Sequence, residues 1–272
     1  MSEEYFASAR SLLFVPGDRP DRFAKAAASG ADGVVLDLED AVAAPGKEAA
    51  RQHVDSWLAS GGVGVVRING FGTPWFEPDV AMVSAHRCVV MLPKANRPRD
   101  VVDVRSSLHV DTPLIPLIET ASGVLDAAAI CAAPGVVRAA FGSVDLSTQL
   151  GIDPADRQAL AFARSAVVLA SAAAGVAPPL DGVTTDLDNA DVLGHDAEHA
   201  AALGFTGKLC IHPAQISVVN RTFTPAQRDV DWARKVVDAT GSGGVAVVDG
   251  QMIDKPVVER AERILDRARS RQ

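Results

Sequence analysis

Short unbroken apolar runs recur along the chain, separated by longer alanine-rich stretches in which apolar and polar positions follow a helical period. Runs of this kind read as strands buried on both faces, and the intervening stretches as amphipathic helices. The pattern predicts eight strands, at 11–15, 33–38, 64–68, 89–92, 114–118, 136–141, 177–180 and 208–211. Helices are expected between them at 21–29, 46–59, 76–85, 99–107, 122–131, 154–174, 189–203 and 213–220. Eight alternating units predict a TIM (β/α)8 barrel over 1–222, whereas a doubly wound sheet needs some of these strands reassigned.

Local signals agree with the periodic reading. Pro20 and Pro98 suit the first turn of a helix, and Gly175 suits a left-handed helix end. After the eighth unit, residues 223–272 read as a C-terminal extension without the core of an independent domain. It comprises a helix at 225–240, a flexible connector at 241–244, and a final helix at 257–271 whose arginines alternate with acids. The expectation is an arm that packs on a barrel, its own or a neighbour's.

Composition narrows the class without changing the fold. At 272 residues and 48% apolar content the chain suits one large core. A formal charge of -8 argues against nucleic-acid or anionic-membrane surfaces, and no stretch approaches a membrane span. The N-terminus carries acids where a secretory signal carries bases, so a cytoplasmic protein is expected. Cys88, Cys131 and Cys210 are scattered, odd in number and set in apolar surroundings, which predicts buried free thiols.

Charge recurs where the apolar runs stop. Pro16-Gly-Asp-Arg19, Asp37-Leu-Glu-Asp40, Arg67-Ile-Asn69, Pro93-Lys94, Glu119-Thr120, Asp145, Asp181 and His212-Pro213 all follow predicted strands. In a parallel barrel these positions converge on one mouth, where ligands bind. Glu119 and Asp145 supply hard oxygen donors suited to Mg2+ or Mn2+, and want of a His or Cys constellation nearby argues against zinc. The alternative for each carboxylate is to accept hydrogen bonds from the helix N-terminus that follows it. Arg67, at the end of Val-Gly-Val-Val-Arg, suits bidentate carboxylate binding or stabilisation of an enolate, or else an ion pair with Glu39 or Asp40. Glu39 is expected to face the mouth. Lys94 offers a Schiff-base route that competes with the metal route. His212 reads as a rim residue, and Asp254 as either an acid/base or a helix cap before Pro256.

Taken together, the ordered motifs Leu-Phe-Val-Pro-Gly-Asp-Arg-Pro, Leu-Asp-Leu-Glu-Asp-Ala-Val, Val-Arg-Ile-Asn, Leu-Pro-Lys, Leu-Ile-Glu-Thr, Phe-Gly-Ser-Val-Asp-Leu, Ile-His-Pro-Ala-Gln-Ile and Asp-Gly-Gln-Met-Ile-Asp-Lys-Pro resemble the citrate lyase beta-subunit-like family. That family stands with the malyl-CoA and citramalyl-CoA lyases in the HpcH/HpaI aldolase superfamily. The resemblance spans nearly the whole chain. It implies Mg2+-dependent carbon–carbon cleavage of a 3-hydroxyacyl-CoA thioester to a 2-keto acid and an acyl-CoA, with the metal on Glu119 and Asp145. It further implies catalytic roles for Arg67, Glu39 and Asp254, the last reaching a neighbour's site in a trimer or hexamer. Coenzyme A contacts fall to Phe14, Arg19 and Lys25, and substrate contacts to Arg67, Gly142 and Ser143. Citrate lyase beta subunits often carry an acid where Val144 stands, so a stand-alone relative is favoured over a subunit of that complex. Two other readings remain: a metal-dependent aldolase on free hydroxy-keto acids, and a non-catalytic barrel subunit.

Overall fold

The computed structural model describes residues 3–240, 246–248 and 250–269. The chain divides into two compact units, 1–220 and 221–272. In the first, eight parallel strands close into a barrel. They are β1 (Ser11–Pro16), β2 (Gly33–Asp37), β3 (Val65–Arg67), β4 (Val89–Leu92), β5 (Leu114–Ile118), β6 (Arg138–Phe141), β7 (Ala177–Asp181) and β8 (Gly207–Cys210). Each pairs with the next, and Ser11, Leu12 and Leu13 of β1 close the ring on Lys208, Leu209 and Cys210 of β8.

Alternation along each strand sends one set of side chains inward and the other toward the helices. Leu12, Val35, Val65, Met91, Ile115, Leu117, Ala140, Leu180 and Leu209 pack together in the interior, with Phe6 and Ala9 at the end where the strands begin. Continuing the same parity to the opposite end brings Asp37, Arg67 and Glu119 inward.

One strand departs from regularity for a visible reason. Between β6 and β7 the register shifts from Arg138↔Ala177 to Ala140↔Leu180, so β7 carries an extra residue where Pro178 and Pro179 fall. Proline has no N–H for the ladder and is confined to such irregular places. The buried Arg138 guanidinium fills the gap, its Nε donating to the Pro178 carbonyl at 2.5 Å and its Nη1 to that of Ala9 at 2.6 Å.

Between β5 and β7 the helices differ from expectation in three places. Residues 122–131 form two short helices, Ala121–Leu125 and Ala127–Cys131, that meet at Asp126. An unexpected helix, Ser143–Leu150, follows β6 directly and ends on left-handed Gly151 (φ 68°). The next helix therefore starts at Ala161 rather than 154. Asp153 and Asp156 hold the intervening turns, accepting hydrogen bonds from the amides of Ala155, Gln158 and Ala159 at 2.8–3.1 Å. Such local side-chain bonds compete with helix formation.

The second unit contains helices Gln227–Thr240 and Lys255–Arg269 and an antiparallel pair, Ala246–Val248 with Gln251–Ile253. Val230, Ala233, Val236, Val248, Ile253, Ala261, Ile264 and Leu265 make its small core. The connector expected at 241–244 lies outside the described residues. No helix among the described residues is long and apolar enough to cross a membrane.

Candidate active site

At the end where the strands finish, parity and loop geometry gather acids and bases around one opening. Arg67 lies across from Asp37 in the β2–β3 register. Its Nε donates to Asp37 Oδ1 at 2.7 Å and its Nη2 to Oδ2 at 2.5 Å, a bidentate pair in which the carboxylate is fully buried. Asp37 also accepts the amides of Glu39 (2.9 Å) and Ala41 (3.1 Å), so it shapes the loop it belongs to. The Phe14 ring lies under the guanidinium, 4.7 Å from its carbon. Burial alone lowers the Arg67 pKa, but Asp37 and Glu39 outweigh it and hold the group charged.

The alternative partners expected for Arg67 were Glu39 and Asp40. The structure gives Glu39 as expected, adds Asp37, and leaves Asp40 facing Lys94 at 3.5 Å. Glu39 is buried; its Oε1 receives the Lys94 ammonium, while its Oε2 lies 3.1 Å from Arg67 Nη1 without a hydrogen bond. Burial raises the Glu39 pKa above the usual carboxylate range, against the pull of Arg67 and Lys94.

Glu119 follows β5 and is 1% exposed. Its Oε1 accepts the Lys94 amide at 2.8 Å. Burial, followed by the charges of Asp145 and Glu39, pushes its pKa up to about 8. The carboxylate rests against Gly142, where a Cβ would stand 2.4 Å from Glu119 Cβ and 2.5 Å from its Oε2. Only glycine leaves that space. Asp145 sits in the first turn of Ser143–Leu150, with its side chain 37% exposed. Lys94, Glu119, Thr120, Val144, Asp145, Thr148 and Gln149 line a cavity of 310 Å³.

The helix-capping alternative fails for both acids. Thr120 caps the helix after Glu119, its Oγ1 accepting the Gly123 amide at 3.1 Å. The Asp145 carboxylate accepts no hydrogen bond from its helix among the described residues; the cation nearest to it there is Lys94, whose Nζ lies 3.9 Å away. Two acids are thus directed at one cavity, and no group of three or more His, Cys, Asp or Glu side chains forms a metal cage among the described residues. Two carboxylates and open space fit Mg2+, which keeps waters and shares its coordination with substrate.

Lys94 has φ 49°, the one positive value on a non-glycine residue among those described. Its ammonium faces Glu39, Asp40 (3.5 Å) and Asp145 (3.9 Å). Burial lowers its pKa, but Glu39, Glu119 and Asp40 raise it further, so the amine stays protonated. A Schiff-base lysine needs the opposite shift.

The remaining expected site residues make contacts of their own. Asp181 points outward, since Leu180 takes the inward parity, and is buried with Arg164 and Lys208 at 2.9 Å each. It is a structural ion group. His212 is a helix cap, its Nδ1 accepting the Ala214 amide at 3.2 Å. Asp254 caps Lys255–Arg269, its Oδ1 accepting the Val257 amide at 3.3 Å, with its side chain exposed in the second unit. Arg19 is half-buried and paired with Asp21 at 2.8 Å, and Lys25 is exposed on the helix Phe23–Ala27. All three cysteines are free and buried, with pKa values raised by burial to about 12, 11 and 12 for Cys88, Cys131 and Cys210.

A supporting layer escaped sequence reasoning. Lys47 Nζ donates to the Leu38 and Glu39 carbonyls (2.7 Å each) and to Asn69 Oδ1 (2.6 Å). Asn69 in turn donates to Asp79, which also receives Arg51 Nε at 2.7 Å. The signal was present: Lys47 is in phase with Ala50, Val54 and Leu58, and Asp79 with Phe76 and Val83, so each is a charge on a buried helix stripe.

Residues 10–213 match the model described as HpcH/HpaI aldolase/citrate lyase, and residues 167–270 match C-C_Bond_Lyase of the TIM-Barrel fold. The chain belongs to the HpcH/HpaI aldolase/citrate lyase family. Among its relatives is the citrate lyase subunit beta-like protein of Mycobacterium tuberculosis, 40% identical over 270 residues and covering 96% of each chain. The (3S)-malyl-CoA thioesterase of Cereibacter sphaeroides is 35% identical over 271 residues, 95% of this chain and 94% of its own. Protein CitE of M. tuberculosis, crystallised with magnesium, acetoacetate and coenzyme A, superposes with a TM-score of 0.83 at 39% identity, covering 96% of this chain and 99% of that one. Membership places the chain among carbon–carbon lyases on a TIM barrel.

Proposed function

We propose that the protein cleaves, and in reverse forms, the carbon–carbon bond of a 3-hydroxyacyl-CoA thioester, with Mg2+ on Glu119 and Asp145. The observation that carries the reading is the pairing, at one opening, of two acids not used as caps with a buried, fully charged arginine 2.5–2.7 Å from its own carboxylate. Crystallisation of the CitE relative with magnesium, acetoacetate and coenzyme A supports both the metal and the thioester. When bound, Mg2+ supplies Lewis-acid polarisation of the oxygens of the 2-hydroxy or 2-keto acid half.

The chain's own groups do the rest. Glu39, with a raised pKa and an Oε2 lacking a hydrogen-bond donor, accepts the substrate hydroxyl proton. Loss of that proton forms the keto group as the carbon–carbon bond breaks, and the bonding pair passes to the thioester as an enolate. Arg67, fixed by Asp37, holds the enolate oxygen, so its charge acts where negative charge develops. Asp254 of a neighbouring copy delivers a proton to the acyl carbon, completing acyl-CoA. Gly142 and Ser143 border the keto-acid pocket, and Phe14, Arg19 and Lys25 are assigned to the thioester and coenzyme A side. This role for Asp254 requires an oligomer with shared sites, and the family resemblance makes it a trimer or hexamer.

The name of the C. sphaeroides relative favours a second reading, hydrolysis of a malyl-CoA-like thioester at the same site. A panel of malyl-CoA, citramalyl-CoA and related thioesters, each with Mg2+ and with EDTA, separates the two. Carbon–carbon cleavage releases a 2-oxo acid, which forms a hydrazone; hydrolysis releases free coenzyme A thiol. A free hydroxy-keto acid turned over without any thioester would overturn both in favour of an aldolase.

A further inference from the structure

The rim carries an excess of negative charge. Asp37, Glu39, Asp40, Glu119 and Asp145 stand around it; Arg67 and Lys94 form ion pairs with them, and the charge of buried Lys47, spent on main-chain carbonyls and Asn69, also reaches Asp37, Glu39 and Asp40. Arg67 is committed to Asp37 and Glu39 and is held rigidly in the barrel end. Lys94 is placed differently. Its main-chain amide is tied to Glu119 Oε1 at 2.8 Å, while its side chain, 41% exposed, reaches Glu39, Asp40 and Asp145. The positive φ of 49° makes this double contact possible, turning the amide toward one acid and the side chain toward the others. A residue with a side chain in that backbone region carries a conformational cost, so the surrounding structure must hold it there.

We propose that Lys94 is a tethered counter-cation: its ammonium joins Glu39, Asp40 and Asp145 when no divalent ion is present, yields Asp145 to that ion, and thereby sets how tightly the ion binds. The proposal rests on the reading of Glu119 and Asp145 as the Mg2+ ligands. It gives Lys94 a task that neither proton transfer nor Schiff-base chemistry requires. The Glu39 contact is the closest and would persist with a divalent ion bound; the Asp145 contact, at 3.9 Å, would be the one released. A unit positive charge roughly 6 Å from a divalent ion weakens its binding about tenfold even at the dielectric constant of water.

The test is calorimetric titration of substrate-free protein with MgCl2, at low and at high ionic strength, for wild type, K94M, K94Q and K94R. All of these substitutions keep the main-chain amide that holds Glu119. K94M and K94Q are expected to bind Mg2+ about tenfold more tightly at low salt, with the gain shrinking as salt screens the half-exposed charge. Their Mg2+-free forms should melt below wild type, with the difference closing at saturating Mg2+. K94R, which retains the charge, should bind as wild type does. Unchanged or weaker Mg2+ binding in both K94M and K94Q overturns the proposal. E119Q in the same series tests the underlying reading separately: if E119Q binds Mg2+ like wild type, the ligand assignment is wrong whatever Lys94 does.

Discussion

Replacing Gly142 by alanine tests how closely the metal side of the mouth is fitted. The added Cβ would stand 2.4 Å from Glu119 Cβ, 2.5 Å from Oε2 and 3.3 Å from Cδ. Carbon atoms settle at ~3.5–4.0 Å, so the shortfall exceeds about 1 Å at the Cβ and cannot be relieved by turning the carboxylate alone. The backbone has little room to move: the Gly142 amide donates to the Ile118 carbonyl at 2.9 Å, and Ile118 pairs with Phe141 across β5 and β6. Glu119 must therefore shift and give up the Lys94 amide. Overpacking of this kind costs about 1–3 kcal/mol, a few degrees of melting temperature at this chain length. Displacing a ligand by about 1 Å is expected to lower kcat by roughly 100-fold, and Mg2+ affinity should fall about tenfold or more, a loss of about 1.4 kcal/mol. Mg2+ calorimetry, thioester turnover and thermal melting of G142A measure the three effects. Gly194, within a helix and with nothing inside 4 Å of a built Cβ, is the control: G194A should bind and turn over as wild type does. A G142A protein with wild-type Mg2+ affinity and turnover would refute the placement of Glu119 at the metal.

Other substitutions probe separate parts of the same account. Glu119 has a folded pKa of about 8, above the ordinary value near 4.3, so without metal its ionisation opposes folding and stability is lost as pH rises through that interval. E119Q should accordingly weaken Mg2+ binding yet melt higher than wild type in EDTA at pH 8.5, with the advantage fading toward pH 4. Asp181 shows the reverse sign: burial raises its pKa, but Lys208 and Arg164 more than offset this and hold it low. Its contribution to stability is therefore complete above the unfolded value of ~3.9 and is lost as pH falls through the folded one. D181N, which leaves two buried cations underpaired, should cost about 3–5 kcal/mol in denaturant melts at pH 7; a wild-type midpoint would contradict the structural role. Mixing inactive R67A and D254N proteins under conditions of proven subunit exchange should restore part of the activity, and no recovery would count against a site shared between copies.

Much of the barrel was legible because its strands are buried on both faces and read as continuous aliphatic runs, interrupted where the chain turns. The convergence of Arg67, Glu119 and Asp145 followed from their common position after strands. Parity was the main source of error: Asp181 also ends a strand, but one residue out of phase with Leu180, and so faces the helices. Helix Ser143–Leu150 was hidden because it begins immediately after Phe141-Gly142, leaving Asp145 looking like part of a strand end. Whether Glu119 caps the following helix was not in the sequence at all, since it turned on whether Thr120 or Glu119 accepted the Gly123 amide. Lys47 and Asp79 were readable as charges on apolar stripes, whereas the left-handed backbone of Lys94 has no sequence signature.

The central claim is that this mouth breaks a carbon–carbon bond in a thioester with Mg2+ held by Glu119 and Asp145. Mass-spectrometric product analysis of the thioester that turns over, in Mg2+ and in EDTA, tests it most directly. The expected result is acyl-CoA and 2-oxo acid in equal amounts, in Mg2+ alone, and neither from E119Q at the same Mg2+ concentration. Free coenzyme A with the intact hydroxy acid, or equal cleavage in EDTA, would contradict it.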